Sequence, residues 1–423
     1  MLFRSLLGTP CGSEFAWNIL NRTVSQEAFT GNLLREKRAD MKEEDWNLAL
    51  RIIYGTLSNR RYIRYQWEEF KRGKLSYDVM NLIDLSVYQR LFLDRIPAYA
   101  VLDEAIRLVK KENAKMAPVV NAILRNFERR GIKKLPEDGT EALALRTSVP
   151  EWLCGLWIAQ YGEETGQKLC EDTLRIKPMW VRVKKETDLA DLLKEYPGLR
   201  EGKLRKGALC ASDGKDAAKL LKDCRVAVQD EASQTVADQL KVKPGMKVLD
   251  MCASPGTKTL QIAEKLEGKG EVHAYDLYES RVRLLEKAIK AQGFGPLVLA
   301  KAYDARNLCE IEKEESFDAV LLDAPCSGLG VLKDKPDLKN RVTGKDLDDC
   351  AALQKELLKT AERMVKPGGT LVYSTCTLNK KENERQIAAF LKEFPGMKLE
   401  KERTVFPFED ENDGFYHAVM KKG

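Results

Sequence analysis

The pattern of hydrophobic and polar positions divides this chain into three stretches of different periodicity. From about residue 13 to residue 131, apolar side chains recur every three or four positions, which is the period of helices with one buried face. Examples of this spacing are Leu48, Ile52, Ile53 and Leu57. Gly131 ends the pattern, and we predict an all-helical N-terminal domain over residues 1–140.

The middle of the chain has a mixed pattern. A helical stretch near Pro150–Cys170 is followed by short extended runs such as Trp180–Val183. These features predict a small α+β bridging subdomain over residues 145–225.

From Val226 onward the pattern becomes strand, loop and helix, repeated. The β-rich runs are Lys247–Asp250, Val272–Asp276, Ala319–Asp323 and Thr370–Ser374. Strands that alternate with helices predict a parallel sheet covered on both faces, and such sheets bind ligands at the carboxyl ends of their strands. We therefore predict a multidomain protein whose residues 226–423 form a Rossmann-like α/β domain.

Length and charge support this division. A chain of 423 residues is too long for one ordinary core. Residues 1–140 contain 24 Lys plus Arg against 18 Asp plus Glu, whereas the rest of the chain is balanced at 47 of each. A basic module attached to a neutral one predicts a polyanionic partner held beside a catalytic site.

The cysteine and histidine content indicates the cellular compartment and argues against a metal site. Ten cysteines are scattered without a Cys-x-x-Cys pair, and only His273 and His417 could assist them, so no metal site is expected. Many free thiols are typical of a reducing cytoplasm. The segment Met1–Pro10 is too briefly apolar for a signal peptide, and no apolar run approaches the roughly 20 residues of a membrane span. We expect a cytoplasmic protein without a membrane partner.

A candidate cofactor loop follows the first strand and opens a helix. Gly256 allows close approach of a ligand to the backbone, and the helix N-terminus offers free N–H groups. Asp276 ends the next strand, where an acid binds ribose hydroxyls, and Asp304 ends a third probable strand, near an adenine amino group. The alternative is that Pro255-Gly256 is a tight turn and Asp276 a helix cap.

The identity of the cofactor follows from what the loop lacks. It has neither Gly-x-Gly-x-x-Gly nor a P-loop, so neither dinucleotides nor nucleoside triphosphates are favoured. S-adenosylmethionine requires ribose and adenine contacts without a phosphate cradle, and it is the predicted cofactor.

Two short cysteine motifs, Asp323–Gly328 and Ser374–Thr377, end two further strands. The pair suits methylation of carbon 5 of a pyrimidine in RNA, because that carbon attacks a methyl donor only after a thiolate has added to C6. A base must then remove the C5 proton so that the thiol can leave. One cysteine as nucleophile and a second for release satisfy this sequence of events.

Several motifs together resemble one family. Val248–Asp250, Ala253–Thr259 and both cysteine motifs resemble the RNA (cytosine-5)-methyltransferases in type and order, and Val228–Gln234 and Asp413–Tyr416 look like the ends of that family's catalytic domain. The helical module resembles a NusB-like RNA-binding domain, with the motifs Tyr54–Leu57 and Val119–Arg125. The combination is typical of the bacterial 16S rRNA (cytosine-5)-methyltransferases of the B type.

The resemblance implies roles for particular residues. Cys376 is implied as the nucleophile on C6, Cys326 as the residue that assists elimination and release, Asp323 as a contact to the cytosine edge, and Lys258 as a second polar contact beside it. The implied S-adenosylmethionine site comprises Cys252, Ala253, Ser254, Pro255, Gly256, Thr257, Lys258, Asp276, Asp304 and Asp323. Thr257 stands where the family usually has glycine.

The implied partner is 16S rRNA, either naked or within an assembling small subunit, and the protein is expected to be a monomer. A methyltransferase acting on tRNA or another rRNA site remains an alternative, as does a non-catalytic RNA-binding assembly factor. A DNA cytosine methyltransferase is disfavoured, because it relies on a Pro-Cys motif alone and leaves Thr375–Thr377 unexplained.

Two features have competing interpretations. Asn59–Trp67 interleaves basic and aromatic residues, as RNA-stacking surfaces do, but a helix with its aromatics turned inward has the same pattern. Free cysteine usually acts as a small buried apolar residue. That interpretation applies to Cys11, Cys154, Cys170, Cys210, Cys224, Cys252, Cys309 and Cys350.

Overall fold

The computed structural model describes residues 12–25, 30–35, 41–212 and 214–423, which form two compact units. The helical unit comprises the chain up to Arg175 together with Leu332–Arg341, here called the returning segment. The sheet unit comprises Ile176–Val331 and Val342–Gly423. The stretch predicted as a bridging subdomain is thus divided, because its helices up to Asp172 belong to the helical unit, whereas its strands and the short helices between them lie in the sheet unit.

The helical unit contains ten α-helices among its described residues. They are α1 Gly12–Ser25, α2 Thr30–Arg35, α3 Glu43–Ser58, α4 Arg60–Trp67, α5 Tyr77–Phe92, α6 Ala98–Asn113, α7 Ala117–Arg130, α8 Gly139–Thr147, α9 Glu151–Tyr161 and α10 Glu163–Asp172. Helix α5 is central, with buried side chains from Val79 to Gln89, and the apolar faces of α1, α3, α4, α6 and α7 pack around it. Gly131 ends α7 with a φ of 76°, as the sequence predicts.

Helix α4 carries the mixed basic and aromatic sequence Asn59–Trp67, and its polar groups are used within the unit. Arg60 and Arg64 approach the buried carboxylate of Asp84 at 3.6 and 3.1 Å. The indole N–H of Trp67 donates to the same carboxylate at 2.9 Å. These contacts are those of a helix packed into a core, and burial lowers the pKa of Arg60 even beside Asp84.

The returning segment is held by two buried lysines. Lys333 forms an ion pair with Asp172 of α10 at 3.1 Å, and both side chains are almost fully buried. Lys339 donates to the backbone oxygens of Ser58 and Thr147, at the ends of α3 and α8, at 3.2 and 3.3 Å. A lysine thus caps two helix C-termini, where orphan carbonyls favour a cation. Burial lowers the pKa of Lys339 to about 7.

The sheet unit begins with a four-stranded antiparallel sheet in the order β2-β3-β1-β4. Its elements are β1 Met179–Val183, α11 Leu189–Glu195, β2 Leu199–Glu201, β3 Ala208–Ala211, α12 Gly214–Leu220 and β4 Val226–Val228. This sheet agrees with the α+β character predicted for the middle of the chain.

A seven-stranded sheet in the order β10-β11-β9-β8-β5-β6-β7 forms the rest of the unit. Its strands are β5 Lys247–Asp250, β6 Glu271–Asp276, β7 Val298–Ala302, β8 Phe317–Asp323, β9 Val365–Thr375, β10 Met397–Val405 and β11 Phe415–Lys422. Its helices are α13 Glu231–Gln239, α14 Thr257–Lys265, α15 Glu279–Ala291, α16 Gly344–Met364, α17 Glu384–Glu393 and α18 Pro407–Asp410.

Strands β5 to β9 are parallel, so their carboxyl ends share one edge, while β11 runs antiparallel to its neighbours β9 and β10. The predicted fold class is confirmed: an all-helical domain, a small α+β part and a Rossmann-like α/β domain. Among the described residues, none of the helices combines the length and the apolar character that a bilayer-crossing segment needs.

Candidate active site

The carboxyl ends of β8 and β9 bring the two cysteine motifs into contact. Asp323 and Ser374 are register partners on these neighbouring parallel strands. Beyond them, the backbone N–H of Gly330 donates to the carbonyl of Cys376 at 3.0 Å. The sulfur atoms of Cys326 and Cys376 lie 3.3 Å apart, although the two residues are 50 positions apart in the chain. Both side chains are partly exposed and therefore accessible to a substrate.

A buried ion pair lies beside the thiols. Nζ of Lys258, in the first turn of α14, is 2.6 Å from Oδ2 of Asp323, and Ser374 Oγ donates to the other carboxylate oxygen at 2.7 Å. Burial alone lowers the pKa of Lys258, but the attraction of Asp323 and Cys376 outweighs it, and the net effect raises that pKa. The ammonium group therefore keeps its charge next to Cys376.

The other thiols near this edge have different surroundings. The hydrogen bond with Cys376, burial and the negative charge of Glu382 all raise the pKa of Cys326. Burial raises the pKa of Cys252 well above its usual value, and the carboxylates around it add to the effect. Both residues therefore favour the protonated thiol.

The loop between β5 and α14 has a backbone that requires glycine at one position. Gly256 has a φ of 104° at the start of α14, and a Cβ there lies 2.5 Å from Cδ1 of Leu285. Thr257 is the first residue of the helix, so the β-branched side chain occupies ordinary helical backbone. The departure from glycine at this position carries no steric cost in the loop.

Two buried polar atoms of this loop have no hydrogen-bond partner among the described residues. They are Oδ1 of Asp250 and Oγ of Ser254. Asp276 accepts from the N–H of Ser254 at 3.3 Å and from that of Tyr278 at 3.1 Å, which fixes its carboxylate at the end of β6. Buried polar atoms are nearly always paired, so these oxygens fit a ligand rich in hydroxyl and amino groups, such as the adenosine part of S-adenosylmethionine.

Asp304 lies after β7, and part of its hydrogen-bonding capacity is used within the protein. Its carboxylate accepts from the backbone N–H of Arg306 at 3.0 Å and forms an ion pair with that guanidinium at 2.6 Å. These contacts lower the pKa of Asp304. The strand end itself is close to Asp276, because the N–H of Tyr303 donates to the Asp276 carbonyl at 3.0 Å.

Sequence reasoning does not identify one residue at this edge, Glu382. Its carboxylate is fully buried and accepts four hydrogen bonds. The donors are Ser327 N at 3.0 Å, Ser327 Oγ at 2.5 Å, Gln354 Nε2 at 3.0 Å and Asn379 Nδ2 at 2.9 Å. The surrounding sequence, Lys380–Glu384, has the composition of an exposed polar segment, so only the three-dimensional contacts reveal its burial.

Comparisons with known proteins match both parts of the chain. Residues 13–129 match the NusB family, and residues 237–421 match the family described as 16S rRNA methyltransferase RsmB/F. The chain is 35% identical to the probable ribosomal RNA small subunit methyltransferase B of Bacillus subtilis strain 168, over 97% of this chain and 98% of that protein. The chain belongs to the RsmB/F family of 16S rRNA methyltransferases. A second relative, ribosomal RNA small subunit methyltransferase B of Vibrio vulnificus, is 33% identical over 96% of this chain and 98% of its own length.

Solved structures agree with the fold of the RsmB/F family. The crystal structure of PH0851 has a TM-score of 0.82 and 24% identity, and the match covers 98% of this chain and all of that one. A methyltransferase homologue from Pyrococcus horikoshii has a TM-score of 0.59 and 26% identity, covering 67% of this chain and 99% of its own. The predicted resemblance to B-type 16S rRNA methyltransferases is confirmed, and the protein is an S-adenosylmethionine-dependent RNA methyltransferase.

The remaining cysteines of this RsmB/F protein are mostly packing residues. Cys154, Cys170 and Cys210 are buried, whereas Cys252, Cys309 and Cys350 are partly exposed. Cys224 is exposed, which contradicts the packing interpretation because it lies in the turn before β4. Cys11 lies outside the described residues. Within the described part of the chain, no three His, Cys, Asp or Glu side chains are grouped as metal ligands are.

Proposed function

We propose that this enzyme methylates carbon 5 of a cytosine in 16S rRNA through a covalent bond between Cys376 and carbon 6 of the base. The observation that carries the proposal is the contact between the Cys326 and Cys376 thiols at 3.3 Å, beside the Lys258–Asp323 pair. A lone buried cysteine requires no second thiol and no charged pair next to it, whereas this reaction uses all four groups.

The first step is addition of Cys376 to the ring. The positive charge of Lys258 favours the Cys376 thiolate, which is the reactive form. The sulfur forms a bond to C6, and the electrons of the C5–C6 double bond move into the ring and make C5 nucleophilic. Asp323 accepts a hydrogen bond from the polar edge of the cytosine, and the ammonium group of Lys258 beside it offsets the negative charge that builds on the ring. A base within folded RNA must leave its stack to reach such a site.

The loop Cys252–Lys258, with Asp276, Asp304 and Asp323, would hold S-adenosylmethionine, which would supply the methyl group to C5. The C5 proton must then leave while the bond between Cys376 and C6 breaks. Cys326 is protonated and touches the departing sulfur. It donates its proton to the departing sulfur of Cys376, and the Cys326 thiolate so formed takes the C5 proton, which restores the C5–C6 double bond and the Cys326 thiol. The proton on Cys376 is then lost to solvent, which regenerates the thiolate beside Lys258.

The choice of substrate rests on the helical unit and the relatives. Residues 1–140 carry the whole excess of basic residues, which suits a polyanion. The relatives from Bacillus subtilis and Vibrio vulnificus are named ribosomal RNA small subunit methyltransferases. We therefore propose 16S rRNA as substrate, naked or in an assembling subunit, for a monomeric cytoplasmic enzyme. Methylation of tRNA or another rRNA site is the alternative.

Bisulfite sequencing of 16S rRNA from cells with and without the gene tests the proposal. One cytosine is expected to lose protection in the deletion and to regain it when the wild-type gene is restored. Cys376→Ala is expected to give no protection, because the neighbouring thiol of Cys326 has a raised pKa and stays protonated, so it does not attack C6 in its place. The matched control is Cys224→Ala, which removes an exposed thiol in the turn before β4 and should restore protection fully. Full protection by Cys376→Ala contradicts the covalent mechanism.

A further inference from the structure

We propose that Glu382 is a positioning residue that joins the two cysteine loops and holds their thiols in contact. This inference rests on the proposed function, because it assigns Glu382 to the reaction in which both thiols act. Glu382 touches neither sulfur through a hydrogen bond. Its effect passes through the loops on which the thiols are mounted.

Glu382 binds the Cys326 loop directly. Ser327, the residue after Cys326, donates both its backbone N–H and its hydroxyl to the carboxylate, at 3.0 and 2.5 Å. Gln354 of α16 donates one N–H to Glu382 at 3.0 Å and the other to the carbonyl of Pro325 at 2.9 Å. The residues on both sides of Cys326 are thus fixed relative to one carboxylate.

Glu382 also fixes the Cys376 loop, to which it belongs. Its own carbonyl accepts from the hydroxyl of Tyr373 on β9 at 2.7 Å, and Asn379 donates to its carboxylate at 2.9 Å. The loops meet again where the hydroxyls of Ser327 and Thr377 lie 2.7 Å apart. The residues that follow each cysteine are therefore linked to each other and to Glu382.

The carboxylate is suited to this role by its number of acceptor sites. A buried charge is costly unless several donors surround it, and here four donors converge on two oxygens. A glutamine of the same shape has one oxygen and one NH2 group. Two donors contact each oxygen of the Glu382 carboxylate, so in either orientation of the glutamine amide its NH2 group stands opposite two of them. At least one of the hydrogen bonds that hold the loops is then lost.

The charge of Glu382 also separates the roles of the two thiols. The charged and titratable groups facing the pair are Lys258, Asp323, Cys350, Tyr373 and Glu382. The negative charge of Glu382 raises the pKa of Cys326 and disfavours its thiolate, while the ammonium group of Lys258 attracts the thiolate of Cys376. The proton therefore stays on Cys326 when Cys376 attacks.

The variants are Glu382→Gln and, as matched control, Glu384→Gln, which changes a neighbouring acid that accepts from Thr404 on β10. Two experiments are done on the full chain. The first measures kcat and KM on 16S rRNA, and the second measures the rate at which diamide oxidises Cys326 and Cys376 to a disulfide. Diamide takes up the two hydrogens of the thiols, and peptide mass spectrometry counts the product. The second measurement does not depend on methylation.

Glu382→Gln is expected to lower kcat about tenfold to a hundredfold with KM nearly unchanged, because the thiols are displaced and the RNA surface is not. Disulfide formation should slow in parallel, and Glu384→Gln should match the wild type in both. If Glu382→Gln has the same kcat and the same rate of disulfide formation as the wild type, the positioning role is overturned. A slowed disulfide in Glu382→Gln together with no cytosine methylation by the wild type keeps the positioning role and rejects the proposed reaction.

Ser327→Ala tests the same link in case Glu382→Gln does not fold, because it removes one of the same hydrogen bonds from the opposite loop. If both residues act through one link, Ser327→Ala lowers kcat in the same direction, and its effect adds little in the double variant. Independent, additive effects on kcat overturn the link.

Discussion

At the scale of single residues, two chemically identical thiols in contact differ because their neighbours differ. Cys376 is acted on by the positive charge of Lys258, whereas Cys326 is acted on by the negative charge of Glu382. Hydrogen bonding to Cys376, burial and Glu382 keep the proton on Cys326. A nucleophile and a proton donor are thus obtained from one residue type by the placement of charge.

Cys326→Ala is expected to trap the enzyme on its RNA. Addition through Cys376 remains intact, but elimination loses the proton relay, so turnover falls by about a hundredfold or more. A protein–RNA adduct should then persist on denaturing gels, while the control variant Cys224→Ala gives none. Normal turnover without an adduct in Cys326→Ala is the result that removes Cys326 from the release step.

The same scale shows the limits of what the sequence discloses about the site. The family resemblance of the motifs that follow β5, β8 and β9 implies roles for Cys326, Cys376, Lys258 and Asp323, and in the structure these residues lie together. Glu382 was missed, because its burial depends on donors contributed by residues up to 55 positions away. No local pattern distinguishes such a carboxylate from an exposed one.

At the scale of elements, the parallel strands explain why distant motifs meet. Each strand of the predicted set ends at the same edge, so the order of strands in the sheet decides which loops are neighbours. Alternating apolar runs were sufficient to predict β5, β6, β8 and β9. Strand β10 was not predicted, because most of its side chains are exposed and polar and its pairing with β11 is non-local.

The end of β5 should make stability depend on pH. Burial raises the pKa of Asp250 to about 7 from an unfolded value near 3.8, so the folded state favours the protonated acid. That contribution is fully present below about pH 3.8 and is lost as pH rises through about 7. Asp250→Asn keeps a neutral group at every pH.

Melting temperatures of Asp250→Asn and the wild type, compared between pH 5 and pH 8, test this dependence. The variant is expected to gain a few degrees relative to the wild type as the pH rises. The exposed carboxyl of Asp348 provides the control, because Asp348→Asn should show no such gain. A constant difference between Asp250→Asn and the wild type contradicts the raised pKa.

At the scale of the whole molecule, one compact unit contains residues that are far apart in the sequence. The returning segment comes from the middle of the sheet unit's sequence but completes the core of the helical unit. Hydrophobic periodicity assigned these residues to the catalytic domain, because neighbouring positions usually belong together. The buried Lys333 and Lys339 are of a type that sequence reasoning places on surfaces.

Replacing the returning segment by a Gly/Ser linker of equal length should destabilise the helical unit. The substitution leaves Asp172 without its lysine and the carbonyls of Ser58 and Thr147 without a donor, and unpaired buried groups are costly. Hydrogen exchange of α3, α8 and α10 is expected to accelerate at least about tenfold, as for a loss of about 1.4 kcal/mol. The exposed Lys335 gives the control variant, Lys335→Ala, for which exchange should stay at the wild-type rate.

The returning segment is also synthesised much later than the helices with which it packs. The first 175 residues leave the ribosome early, yet the last part of their core, Leu332–Arg341, is made only after residues 176–331. At about 5–20 residues per second, the delay is on the order of ten to thirty seconds. Throughout that time the ends of α3 and α8 lack their lysine cap, so the nascent N-terminal region waits incompletely folded for a segment encoded far downstream.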